Sequence, residues 1–179
     1  MAIYQLKITL QHTRPPVWRR IQVKADTKLG KLHRILQEVM GWTDSHMHAF
    51  RVGHTDYGAT DPDFPNDMKS ERNIRLDKIA TEGDVFIYEY DFGDGWIHEI
   101  KVEKALNAEP AVHYPVCLAG KRACPPEDCG GPWGYDHLLQ VLRDPKNEEY
   151  EELSEWLGGE LDPEAFDPDE VNKIMKRIR

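Results

Sequence analysis

Residues 3–41 read IYQLKITLQHTRPPVWRRIQVKADTKLGKLHRILQEVMG, and the period of their apolar positions changes once along that length. From Ile3 to Leu10, Tyr4, Leu6, Ile8 and Leu10 alternate with polar neighbours, the pattern of a half-buried strand. His12–Pro16 is turn-rich, and Val17 to Val23 resumes the two-residue period, which predicts a hairpin. Beyond Asp26 and Thr27, either of which can cap a helix, Leu29, Leu32, His33, Leu36, Val39 and Met40 fall at helical spacing. Gly41 stands where a helix ends.

Outward from this β-β-α start, His46 to Val52 is predicted as a third strand and Ile74–Leu76 as a short one. The polar, turn-rich stretch from His54 to Ser70 is predicted as a loop. Val85 to Tyr90 and Trp96 to Val102 are strands joined by the turn Asp91-Phe92-Gly93-Asp94-Gly95. Residues 107–134 hold all three cysteines, and their mixture of fixed-φ proline and free-φ glycine predicts a long loop. Three helices follow, starting near Pro132, Asp144-Pro145 and Asp167-Pro168. The expected fold class is therefore α+β: a mixed β-sheet with a β-grasp-like β-β-α start, a Pro/Gly/Cys loop and about three C-terminal helices. We expect one domain over 1–179, with a sheet-and-helix part at 1–106, the loop at 107–134 and a helical tail at 135–179.

The net charge is −9, but residues 1–60 carry nine Lys/Arg against four Asp/Glu, and the remainder fourteen against twenty-eight. An acidic whole disfavours indiscriminate nucleic-acid binding, while a basic first third leaves a local patch open. No apolar run approaches the ~20 residues that span a bilayer. No signal peptide is legible, and three cysteines suit a reducing compartment, so a cytoplasmic protein with no membrane partner is expected.

Four groups of residues carry candidate chemistry. His46 and His48 share a predicted strand face with Phe50, and His98 shares one with Trp96 and Ile100; with Cys117, Cys124 and Cys129 they form a possible zinc-ligand set. The alternative is buried cysteines and hydrogen-bonded core histidines. Cys129 is also a candidate nucleophile, raised in pKa by Glu127 and Asp128 and lowered by the helix start after it. Asp91, Asp94, Glu127 and Asp128 lie in turns, where they either hold a divalent cation or accept backbone N–H groups and cap the helix near Pro132. A basic stripe of Arg14, Arg19, Arg20, Lys31 and Arg34, with Lys24 and Lys28 alongside and Trp18 interleaved, is a candidate surface for nucleic acid or an acidic partner. Trp42 and Trp133 are expected to anchor the loop.

Four segments, PPVWRRIQV at 15–23, LHRILQEVMGWTDSHMHAF at 32–50, YDFGDGWIHEIKVE at 90–103 and YPVCLAGKRACPPEDCGGPWGY at 114–135, resemble the plasmid pRiA4b ORF-3-like family. The resemblance implies a fold and a set of signature residues in bacterial and archaeal proteins, some of them associated with plasmids and mobile elements. It implies no established activity. The expected role is a binding or adaptor module, not an enzyme, for a protein or nucleic-acid partner in a mobile-element context. The alternative is a metal-binding protein or enzyme using His46, His48, His98, Cys117, Cys124 and Cys129.

Overall fold

In the computed structural model, which describes residues 1–60 and 67–178, the alternation at the N-terminus becomes β1 (Ala2–Leu10) and β2 (Trp18–Lys24). They pair antiparallel, with Leu6 opposite Ile21. Leu6, Ile8, Leu10, Ile21 and Val23 turn to one face and are buried, while Gln5, Lys7, Arg20 and Gln22 occupy the other. Helix α1 (Leu29–Met40) lies on the buried face and contributes Leu29, Leu32, Ile35, Leu36 and Val39. A residue of this size buried in full gives about 1.5–3 kcal/mol, so this layer supplies the core's main driving force. Gly41 closes α1 in the left-handed conformation with φ of 109°. The helix starts differently from expectation: the N-cap is Lys28, with no side-chain cap, rather than Asp26 or Thr27.

The remaining strands are β3 (His48–Val52), β4 (Thr55–Gly58), β5 (Lys69–Ser70), β6 (Val85–Tyr90), β7 (Trp96–Asn107) and β8 (Val116–Lys121). Together they make an eight-stranded sheet in the order β5-β4-β3-β6-β7-β1-β2-β8. Every pairing is antiparallel except β4 with β5. Helices α2 (Gly131–Leu142), α3 (Tyr150–Leu157) and α4 (Pro168–Met175) complete an α+β architecture. Among the described residues no helix is long and apolar enough to cross a membrane.

Several boundaries differ from the sequence expectations for identifiable reasons. β8 lies inside the predicted loop. It is an edge strand that buries Cys117 alone, so its two-residue period is faint. Its outer rim is closed by α4: the Asn172 side chain accepts from Cys117 N–H at 2.7 Å and donates to Cys117 C=O at 2.9 Å. β4 and β5 fall within the stretch predicted as loop, of which 61–66 lie outside the described residues. Ile74–Leu76 is not a strand; Arg75 makes one bridge to Lys28, and Leu76–Lys78 is a 3-10 turn that buries Leu76. α3 begins at Tyr150, because Asp144 and Asn147 first accept backbone N–H groups of Lys146 and Glu149 in a turn. At α4 the expected cap is present, Asp167 accepting from Asp169 N–H.

Candidate functional site

β3 begins at His48, two residues later than its prediction, and this separates two histidines expected on one strand face. His46 sits before the strand and points towards the turn after β6. His48 points inward, and its Nε2 lies 2.9 Å from Glu71 Oε2. Its ring stacks on His33, with centroids 3.5 Å apart. His33 in turn meets Tyr88 Oη and Asp44 Oδ1, each at 2.8 Å. Burial, with neighbouring His48 adding to it, holds His33 below the ordinary histidine range.

His98 is wholly buried. Its Nε2 accepts from Trp42 Nε1 at 3.4 Å, and its Nδ1 donates to the Tyr88 carbonyl at 3.2 Å. Both nitrogens are used, and burial pushes the ring down to about 4. It is a hydrogen-bonded core histidine. Burial also raises every thiol, Cys117 to about 11, Cys129 to about 12 and Cys124 well above its usual value. For Cys129, burial is the largest cause, and the carboxylate of Asp94 raises it further. Raised thiols disfavour both thiolate ligation and nucleophilic attack.

The six-residue His/Cys set is thus not brought together. Among the described residues, the group able to offer three ligand atoms within 4.8 Å of one another is His46, Asp91 and Asp128. His46 Nε2 lies 2.8 Å from Asp128 Oδ1, 3.6 Å from Asp91 Oδ2 and 3.8 Å from Glu127 Oε2. This nitrogen is closed off from solvent, yet none of the three contacts is aligned as a hydrogen bond.

The carboxylates are held from behind. Asp91 Oδ1 accepts from the N–H groups of Gly93 and Asp94 at 3.0 and 3.3 Å, leaving Oδ2 towards His46. Glu127 Oε1 accepts from Thr43 N–H at 2.7 Å and Thr43 Oγ1 at 2.9 Å. Tyr90 Oη donates to the same carboxylate, 3.1 and 3.2 Å from its two oxygens. Asp91 and Asp128 both take left-handed backbone, φ 56° and 57°, which Asp tolerates better than most residues. Asp94 acts elsewhere, its side chain accepting from Gly130 N–H at 3.1 Å and tying the turn to the start of α2. Gly130, not Glu127 or Asp128, is the N-cap of that helix. A Cβ on Gly131 would collide with the Asp94 carbonyl, so glycine is required for this close approach.

The basic residues are dispersed. Arg19 is 1% exposed, because on the core face its guanidinium donates to the carbonyls of Val39, Trp18 and Lys121 and stacks on Phe166 at 3.9 Å. Arg20 lies on the opposite face, bidentate to Glu103 at 2.7 and 2.9 Å and 5.4 Å from the Trp18 ring centre. Arg14 sits in the β1–β2 turn, beside a cavity it shares with Trp133. Lys31 and Arg34 line a separate groove with Lys24 and Lys28. Trp42 is buried as expected, whereas Trp133 is 84% exposed and anchors nothing. Thr43 and Tyr90, which hold the Glu127 carboxylate, are missed by the sequence reading; the only signal for them is their place inside the signature segments.

The comparisons with known proteins cover nearly the whole chain. The chain is 39% identical over 177 residues to the uncharacterized protein y4hQ of Sinorhizobium fredii (strain NBRC 101917 / NGR234), covering 97% of this chain and 91% of that one. Among solved structures it is similar to the protein of unknown function MM3350 from Methanosarcina mazei Go1, with 42% identity, a TM-score of 0.88, and coverage of 95% of this chain and 97% of that one. The match to the family described as Plasmid pRiA4b ORF-3-like protein extends over residues 2–170, and the chain belongs to that family.

Proposed function

We propose that this is a divalent-metal-binding protein whose centre is built from His46, Asp91 and Asp128, with Glu127 beside them. One observation carries the reading: a solvent-shielded imidazole nitrogen without a hydrogen bond faces three carboxylate oxygens within 4 Å. Unneutralised carboxylates converging in this way repel one another, and a cation between them removes that repulsion. One imidazole with carboxylate oxygens suits zinc or manganese better than a soft, thiolate-preferring ion. Fixing one oxygen of Asp91 and of Glu127 on backbone and hydroxyl donors orients the other, the usual role of groups behind metal ligands.

The test is elemental analysis of protein purified without a histidine tag or chelator. The expected result is one transition-metal ion per chain, lost in His46→Ala and Asp91→Asn and kept in His48→Ala and Cys124→Ser. Metal absent from the unaltered protein, even after dialysis against zinc or manganese, overturns the reading. So does metal that survives His46→Ala but is lost with Cys124→Ser.

A further inference from the structure

A groove of about 770 Å³ lies between the start of α1 and the β4–β5 edge. That is the size of a site for a nucleotide-sized ligand. Lys24, Lys28, Lys31, Arg34 and Arg72 line it. In a chain of net charge −9, none of these five forms an ion pair among the described residues; Lys28 has only the neutral Asn73 Oδ1, at 3.2 Å. The acidic residues lining the groove are Asp26 and Glu71, and Glu71 is buried against His48 and Gly30.

A second observation is independent of the groove's shape. Helix starts favour acidic residues and a Ser, Thr, Asp or Asn cap, because the positive end of the helix dipole lies there. α1 has Lys28 at its N-cap, no side-chain cap and no acidic residue in its first turn, while Lys31 and Arg34 follow on the groove side. Placing cations there destabilises an isolated helix. The Ile74 carbonyl accepts from Leu29 N–H at 2.9 Å and Glu71 lies beside Gly30, but Lys31 and Arg34 have no ion pair among the described residues, and local rules broken in this way mark a functional surface. The unpaired cations around the groove favour an anion with several charges.

We propose that this groove binds a phosphate-rich anion, presented either by a nucleotide or by the backbone of a single-stranded nucleic acid. Several phosphates are needed because the five cations are spread around a groove rather than gathered at a point. Lysine and arginine both serve phosphate, the first as a point charge and the second as a fork.

The experiment measures binding of ATP by calorimetry and of a fluorescein-labelled oligothymidylate by anisotropy. Both use the full chain in EDTA, so that no metal at His46 contributes. At least one probe is expected to bind at 50 mM salt. The double reversal Lys31→Glu/Arg34→Glu should weaken it tenfold or more, and the exposed control Lys146→Glu should leave it unchanged. Tighter ATP binding identifies the guest as a nucleotide. Tighter oligonucleotide binding, with a log–log salt slope of about −3 to −4 for five contacts, identifies a nucleic-acid backbone. Neither probe binding, or the double reversal changing affinity less than twofold, overturns the proposal.

Discussion

The two ends of α1 carry opposite charges, each the reverse of what the helix dipole favours, yet they are built differently. At the C-terminal end, Asp91 and Glu127 are fixed by backbone amides, Thr43 and Tyr90, and converge on one imidazole. At the N-terminal end, Lys24, Lys31 and Arg34 stand around an open groove, with no ion pair among the described residues to hold them. Fixed donors suit a small ion of set geometry, whereas long mobile cations suit a larger guest whose charges are spread. The difference shows that charge sign alone does not define a site; the rigidity behind the charge sets what it can hold.

This contrast fails if the acidic end does not depend on its histidine. His46→Ala should lower zinc or manganese affinity by more than 100-fold in a competition titration with a chromophoric chelator. Its thermal stability should change little, since His46 is only partly buried.

Acid pH tests what lies between the two ends. His98 is held at about 4, against about 6.5 in an unfolded chain, and His33 is shifted in the same direction. Unfolding therefore takes up protons. The stability due to these rings is complete above pH 6.5 and is lost as pH falls towards 4, by about 3 kcal/mol for His98. Urea unfolding at pH 7.0 and 4.5 checks this; equal midpoints would show that His98 is protonated in the fold.

Tyr90→Phe probes the rigidity of the acidic end directly. It removes the hydroxyl that braces Glu127 and accepts from Ser45 N–H, while keeping the ring on Trp42. We expect roughly tenfold weaker metal binding, the lower range for groups that orient ligands. An unchanged affinity would mean that Glu127 takes no part.

The smallest effect has the opposite sign. Lys28 already has the extended backbone of an N-cap, φ −74° and ψ 150°. Lys28→Asp should therefore stabilise the protein by about 1 kcal/mol, while weakening anion binding in the groove. A lower melting temperature would show that α1 does not sacrifice stability at its start.

Much of this was legible in the sequence, for physical reasons. β1, β2, α1, β6 and β7 each bury one face, so their periods were clear. β8 was hidden because an edge strand with one buried side chain has almost no period. The metal-compatible group was half legible: His46, Asp91 and Asp128 all stood out, but in different company, the histidine with the cysteines and the acids with the turns. Joining them required knowing that Asp94 and Gly131 bring the turn after β6 against the segment before α2. Arg19 misled because an arginine on a strand reads as surface, and nothing local announces the three carbonyls and Phe166 that receive it.

The carboxamide of Asn172, bonded to both backbone groups of Cys117, has a consequence for how copies of this protein meet. An exposed strand rim is a template on which a neighbouring chain can add, and growth from there is a route to fibres. Here one side chain imitates a single peptide unit of a ninth strand and then stops, since a helix cannot continue the ladder. At the far rim, β5 is two residues long and offers almost nothing to copy. The sheet is terminated at both ends, so an Asn172→Leu protein would be the form most prone to associate rim to rim.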